Sequence, residues 1–314
     1  MAPSRVMAVV KADAYGHGLV ELARAANDAG VDFLGVLDIE TGLALRKAGI
    51  ETPAFAWLHS PSSDFAGAVR SGIDLSAGSL AELELIAKAP GRAQVHLKID
   101  TGLSRNGCRA ELWKSFVQRA LELGKSGEID VVAIWSHLSG TSTADDTKAL
   151  TLFETAVVIA KEFGFDGYLH IASSPAAFAL PESRYDMVRI GVSAFGTSPL
   201  TDVSASNLGL DAPMSVTAEV ISDGVISIGF LHGYFSKLEG LAHVEINGKL
   251  YLVKKIGPLA SAIDSGDYEP GDEVRIFGRE VGLAPSAEEL CNLVGTVTDE
   301  LFTGLKANLT TYSS

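Results

Sequence analysis

The sequence predicts an α/β architecture, an (α/β)8 barrel followed by a smaller, mainly β domain. Three observations carry this expectation. The first two-thirds of the chain repeats a short apolar run, a polar turn and a helix-period segment eight times. Continuous apolar strands that alternate with amphipathic helices imply a parallel sheet covered by helices. No unit carries the glycine fingerprint of an open dinucleotide-binding sheet, since Gly16-His17-Gly18 has no third glycine at the required offset. After about Leu210 the helical period gives way to alternating β-formers. At 314 residues the chain has room for both parts, expected as a barrel over 1–205 and a β domain over 206–314.

The strand-like runs are Arg5–Asp13, Phe33–Leu37, Pro53–Leu58, Asp74–Ala77, Ala93–Ile99, Val131–Leu138, Tyr168–Ala172 and Asp186–Val192. Between them, Gly18–Ala26 and Ser79–Ile86 place apolar residues at i, i+3 and i+4, and Lys148–Phe163 gives the longest helical pattern. In the last third, Met214–Ile228, Ala242–Ile246, Lys249–Ile256 and Glu273–Phe277 read as strands. Asn247-Gly248 between two of them signals a hairpin. Ser286–Val294 reads as a lone helix, and the tail is β-like again.

Composition narrows the function. A net charge of −14 repels phosphate backbones and anionic lipid, so neither nucleic acid nor a membrane is expected as a partner. No apolar run approaches the roughly 18 residues needed to cross a bilayer. Met1–Arg5 leads directly into a strand, which argues against a signal peptide. Two cysteines, Cys108 and Cys291, form no motif; a disulfide framework or cysteine zinc site is not expected, and a reducing cytoplasm suits the chain.

In a barrel of this kind chemistry sits at the C-terminal ends of the strands. The first run ends in Lys11-Ala12-Asp13-Ala14-Tyr15-Gly16-His17-Gly18 and the fifth in Lys98-Ile99-Asp100-Thr101-Gly102, with Arg105 just beyond. The sixth ends in Ser136-His137, the seventh in Ser173-Ser174 and the eighth in Arg189-Ile190-Gly191. Lys11 follows five apolar residues; burial there disfavours its ammonium form, as a Schiff-base lysine requires. The plainer reading is a lysine that snorkels out of the strand end. Arg189 suits a pyridine nitrogen. Ser174 and the backbone of Gly191 and Val192 fall where barrels bind phosphate. His137 reads as stacking, hydrogen-bonding or structural, and no Glu or Cys lies at metal-ligand spacing from it.

These residues resemble a known family. Val10-Lys11-Ala12-Asp13-Ala14-Tyr15-Gly16-His17-Gly18 is similar to the cofactor-lysine motif of alanine racemases, TIM-type barrel enzymes that use pyridoxal 5'-phosphate (PLP). Lys98–Gly107 and Asp186–Gly191 resemble two further signatures, and the likeness is close up to about Pro199. It implies interconversion of L- and D-alanine, the supply step for peptidoglycan, with Lys11 as Schiff-base lysine and acid–base on one face of the substrate. It also implies that Tyr15, Ser174, Gly191 and Val192 bind the phosphate and that His137 packs on the cofactor ring. Arg189 would pair with the ring nitrogen. Arg105 would contact the substrate carboxylate, oriented by Lys98, which is carbamylated in many members. Family members are head-to-tail homodimers in which each β domain completes the partner's site, and no metal is implied.

The β domain departs from that pattern. The family's second base is a tyrosine in a Gly-Tyr-x-Asp-Gly segment, whereas Ile228-Gly229-Phe230-Leu231-His232-Gly233 has a phenylalanine there. The family's Met-Asp pair aligns with Pro258-Leu259, and its Arg-rich closing motif with Lys306–Thr311. A loop of roughly twenty residues is missing after Asp223, and the leading strand and helix that precede the family's lysine are absent here. Tyr234 and His232 are the nearest replacements for the base. Three readings follow: an alanine racemase; a non-catalytic PLP-binding barrel, which the β domain disfavours; and a one-base enzyme performing aldol cleavage, transamination or slow racemisation, favoured by Phe230.

Overall fold

The computed structural model describes residues 5–278 and 282–306 and the backbone of Thr310–Tyr312. These residues divide into two compact units. One comprises the chain up to Lys11 and Leu19–Gly191; the other comprises Ala12–Gly18 and the chain from Val192 onward.

The first unit is a ring of eight parallel strands: β1 (Arg5–Val9), β2 (Phe33–Val36), β3 (Ala54–Ala56), β4 (Ile73–Ala77), β5 (Ala93–Lys98), β6 (Ile129–Trp135), β7 (Tyr168–His170) and β8 (Met187–Ile190). Each pairs with its sequence neighbour, and β1 also pairs with β8. Between β7 and β8, Asp186 N donates to Leu169 O at 3.1 Å and Arg189 N to Ala172 O at 3.0 Å. The ring is therefore nearly closed. Strand interiors are apolar on both faces because helices cover the outside while side chains fill the inside. Met7, Phe55, Trp135 and Met187 form the inner cluster, with Phe33, Trp57 and Tyr168 packed on it.

The loops that lead into helices end in side-chain caps. Asp38, Asp64, Ser79 and Ser142 each accept a backbone N–H three residues on, which satisfies donors that the first helical turn leaves open. The helix Ala110–Ser126 buries Trp113, Phe116, Val117, Ala120 and Leu123, the spacing of one apolar face.

The strands are shorter than the apolar runs that announce them, and β1 shows why. It stops at Val9, and Ala12, Asp13, Ala14 and Tyr15 then adopt left-handed helical angles, with φ of 51–55°. Such angles cost an L-residue with a Cβ roughly 1–2 kcal/mol each. The turn is held by His17 N to Ala14 O (3.1 Å) and Gly18 N to Asp13 O (3.0 Å). The His17 ring stacks on Phe195, with centroids 4.5 Å apart. Gly16 has φ +77°, and a Cβ there would stand 2.3 Å from the carbonyl oxygen of Phe302. Gly16→Ala is therefore expected to destabilise the protein by about 3 kcal/mol or more, measured as a lowered denaturant midpoint.

The second unit is a closed antiparallel barrel. Its strands are β9 (Met214–Ser222), β10 (Val225–Ile226), β11 (His243–Ile246), β12 (Lys249–Ile256), β13 (Ser261–Ile263) and β14 (Glu273–Phe277). They run in the order β10-β13-β12-β11-β14-β9, and β10 closes the ring by pairing with β9. The tail strand β15 (Thr310–Tyr312) adds to the start of β9. Asn247 and Gly248 both have positive φ, 51° and 74°, the backbone a two-residue hairpin requires. Where the sequence lacks the family's loop, Asp223-Gly224 joins β9 and β10 in a two-residue turn. The helix at Ala287–Val294 starts in a capping box between Ser286 and Glu289. It is not alone: β13 and the helix Thr298–Gly304 escaped the sequence reading.

The division between the units follows Gly191 rather than residue 205. Segments just past Gly191 pack within the second unit, Phe195 against His17 and Ser198 N on Glu288 Oε1 at 2.6 Å.

Candidate functional site

Because the strands of the first unit are parallel, their C-terminal ends share one rim. Lys11 follows β1, Lys98 ends β5, Arg105 lies in the loop after it, and His137 follows β6. Ser174 begins the short helix after β7, and Arg189 is the third residue of β8. The structure thus gathers Lys11, Lys98, Arg105, His137, Ser174, Arg189 and Gly191 in one unit. Tyr15 and Val192 belong to the other.

Arg189 is buried within the barrel. Its Nη2 donates to Ser136 O at 2.8 Å and Ile171 O at 3.0 Å, with His137 Nδ1 at 3.2 Å, and its Nη1 donates to His170 Nδ1 at 3.1 Å. Burial and the nearby Arg105 lower its pKa to about 9. Lys98, 3% exposed, donates to Asn106 Oδ1. Trp135 underlies both cations, with Lys98 Nζ 4.1 Å and the Arg189 guanidinium carbon 5.2 Å from its ring centroid. Burial, and then Arg105 and Arg189, push the Lys98 amine down to about 7. His137 falls to about 3 through burial and the charges of Arg189, Arg105, Lys98 and Lys11. It is a neutral ring, so it can accept from Arg189.

Four basic side chains therefore act on one histidine, in a chain of net charge −14. None of Lys98, Arg105 and Arg189 takes part in a salt bridge among the described residues. Such a basin favours an anionic ligand. At the same rim Gly191 N donates to Ser174 Oγ at 2.9 Å, which leaves the hydroxyl proton free to donate outward. An open groove of about 770 Å³ is lined by Asp100, Arg105, Asn106, Arg109, Glu111 and Lys148. Among the described residues no group of three or more His, Cys, Asp or Glu could hold a metal ion.

Known proteins match this chain over nearly its whole length. The family model "Alanine racemase, N-terminal domain" covers residues 1–199, and "Alanine racemase, C-terminal domain" covers residues 214–312. The chain belongs to the alanine racemase family. An alanine racemase of Salinispora tropica is 33% identical over 336 aligned positions, covering 96% of this chain and 89% of the relative. One from Mycolicibacterium smegmatis is 33% identical over 97% of this chain and 87% of its own length. The solved alanine racemase of Streptomyces coelicolor A3(2) superposes with a TM-score of 0.92 at 29% identity, covering 98% of this chain and 90% of that one. The Salinispora alignment is longer than this 314-residue chain, as expected where segments such as the loop after Asp223 are missing.

The second unit holds the segment whose sequence resembles the family's tyrosine segment. Phe230 begins a short 3-10 turn, Phe230–His232, and is 45% exposed. Phe230 N donates to Gly257 O at 2.9 Å and Leu231 N to Pro258 O at 3.0 Å. This brings the tyrosine-like segment against the Pro258-Leu259 pair. Gly229 is required here, since a Cβ would lie 2.3 Å from Gly257 O. The closing motif is described only in part, because residues 307–309 and the side chains of Thr310 and Thr311 lie outside the described residues.

Neither nearby replacement has the placement of a tyrosine base. Tyr234 is 2% exposed, sits in the core of the second unit and has no hydrogen-bond partner for its hydroxyl among the described residues. Burial raises its pKa further. Tyr234→Phe removes an unsatisfied group, so stability should hold or rise by about 1–2 kcal/mol, with alanine turnover unchanged; a thermal melt and an exchange assay check both. His232 accepts from Gly229 N through Nδ1 at 3.1 Å, which commits one ring nitrogen to capping the turn.

Trp135, Asn106, His96 and His170 escaped the sequence reading. A signal was available: in strands, alternate residues share a face, so His96 stands with Lys98 and Trp135 with Ala133 on the inward-facing series.

Proposed function

We propose that this protein interconverts L- and D-alanine with PLP held at the rim of the first unit, and that it does so slowly. The observation that carries the proposal is the convergence of Lys11, Lys98, Arg105 and Arg189 on the surroundings of His137. The donor set suits PLP, whose phosphate and phenolic oxygen are anionic and whose ring nitrogen accepts a hydrogen bond. Lys11 would hold it covalently, Arg189 would donate to the ring nitrogen, and His137 would pack on the ring. Ser174 and Gly191 would take the phosphate, joined by Tyr15 and Val192 as the resemblance implies. When bound, the cofactor supplies the electron sink that acidifies the substrate Cα–H.

This chain's own residues do the rest. Lys11 moves a proton on one face of the substrate, and Arg105 binds the substrate carboxylate. Phe230 has no proton to exchange on the other face. The amine of Lys98, titrating near 7, is substantially neutral at physiological pH, the form that carbon dioxide carbamylates. An anionic carbamate there would offset the charges of Arg105 and Arg189 that act on Lys98. With 13C-bicarbonate, a carbamate signal should strengthen as pH rises from 6 to 8 and disappear in Lys98→Ala. A signal independent of Lys98 would remove this role.

The exposed apolar turn at Phe230 (45%), Leu231 (55%) and Leu259 (60%) supports a homodimer in which a second copy covers it; light scattering of the purified protein tests this. Both cysteines are buried and free, in keeping with a cytoplasmic enzyme that supplies D-alanine for peptidoglycan. No helix among the described residues is long and apolar enough to cross a membrane. An absorbance spectrum followed by a D-/L-alanine exchange assay tests the proposal. A visible band lost on borohydride reduction, with slow exchange, supports it; a protein that takes up no PLP contradicts it.

A further inference from the structure

Inside the barrel, a line of buried polar side chains leads away from Arg189 through groups that have no part in the chemistry above. From Arg189 Nη1 it passes to His170 Nδ1 at 3.1 Å, from His170 Nε2 to His96 Nδ1 at 3.0 Å, and from His96 Nε2 to Asp74 Oδ2 at 3.1 Å. The Tyr168 hydroxyl lies 3.2 Å from His96 Nε2. Both histidines are fully buried, while the Asp74 side chain keeps 14% exposure. Asp74 is the second residue of β4 and Arg189 the third of β8. The line thus runs from near the N-terminal end of one strand to near the C-terminal end of another.

Its direction is fixed at both ends. A guanidinium can only donate, so His170 Nδ1 accepts and its proton sits on Nε2. That proton goes to His96 Nδ1, which places the His96 proton on Nε2, facing a carboxylate that can only accept. Charging either ring would set N–H against N–H. Burial, with Arg189 and His96 nearby, accordingly holds His170 well below the usual histidine range. The rings are also clamped: Phe55 stacks on His96 at 4.1 Å and Trp135 lies parallel to His170 at 5.7 Å.

We infer that Asp74, His96 and His170 are positioning residues, a one-way hydrogen-bond chain across the barrel that fixes the Arg189 guanidinium. Nη2 is committed to Ser136 O and Ile171 O; His170 pins Nη1 and so removes the remaining rotation. The role toward a ring nitrogen rests on the PLP reading, but the chain itself does not. A merely structural role, in which these groups only satisfy one another, would leave Arg189 indifferent to His96.

The test is 15N NMR of the full-length protein labelled at histidine and arginine. His170 and His96 should both be neutral with the proton on Nε2, and the Arg189 Nη signals should be resolved because rotation is blocked. In His96→Leu the Arg189 signals should merge, although His96 does not touch Arg189; His96→Gln, which can both accept and donate, should restore them. PLP affinity should fall on the order of tenfold in His96→Leu, as when a hydrogen-bond partner of a metal-bound histidine is removed, with the visible band shifted. Should His96→Leu fail to fold, Asp74→Leu at the far end reads out the same Arg189 signals. A proton on His170 Nδ1, or Arg189 signals unchanged in a folded His96→Leu or Asp74→Leu, overturns the inference. Absence of a Lys11 chromophore in the unmodified protein would instead refute the PLP reading and leave the Arg189 signals to decide this one.

Discussion

Phe230→Tyr is expected to raise alanine racemisation by about 10²–10⁴-fold, the usual worth of a positioned general acid–base. Racemisation needs a proton removed from one face of the substrate and delivered to the other, and in the proposed function Lys11 serves only one face. Phe230 begins a half-exposed turn braced by Gly257 and Pro258, so a hydroxyl added to its ring meets solvent or a partner subunit and no packed core. The substitution therefore adds a functional group with little change in packing. Initial rates in both directions, measured by chiral separation of alanine, give the comparison. Equal rates for Phe230→Tyr and the unmodified protein would show that the second proton comes from elsewhere. His232 could supply it only after its Nδ1 is released from Gly229 N, because while Nδ1 accepts there the ring carries its proton on Nε2.

The second large effect is at Lys11. Lys11→Ala should remove the visible absorbance of the PLP-loaded protein, prevent borohydride labelling and abolish exchange of the substrate Cα proton. Peptide mapping of the reduced protein should place the label on Lys11. Lys98 is the competing lysine, because its amine titrates near 7 and is therefore nucleophilic at neutral pH. The charges of Arg105 and Arg189 acting on it and its bond to Asn106 support the other task proposed for it. A label on Lys98 would exchange the roles assigned to the two.

How much of this was legible in the sequence depends on how local each signal is. Apolar runs alternating with helical periods located eight strands, because burial on both faces leaves a run that needs no partner to be recognised. Asn247-Gly248 announced its hairpin for the same reason, since few other residue pairs adopt two positive φ angles. The rim residues were legible because polar side chains interrupt apolar strand ends. The left-handed turn at Ala12–Tyr15 was not, since alanine and tyrosine by themselves favour the right-handed region; packing of Gly16 on Phe302 and His17 on Phe195 imposes it. The short strand β13 and the helix Thr298–Gly304 were hidden in mixed sequence. The histidine chain was missed because it is made of single residues from four strands that only closure of the barrel brings together. Tyr234 is a candidate base only by its nearness in sequence, and its burial in the second core is visible only in three dimensions.

Deuterium exchange of alanine in D2O tests the central claim most directly. The unmodified, PLP-loaded protein is given each enantiomer separately, and wash-in at Cα is followed alongside inversion. With Lys11 as the sole acid–base, as proposed, the protein should exchange the Cα proton of one enantiomer with retention, at least about tenfold faster than it inverts either. Exchange and inversion at matching rates for both enantiomers, at the tens per second common among enzymes, would contradict the account and place a second acid–base in the site.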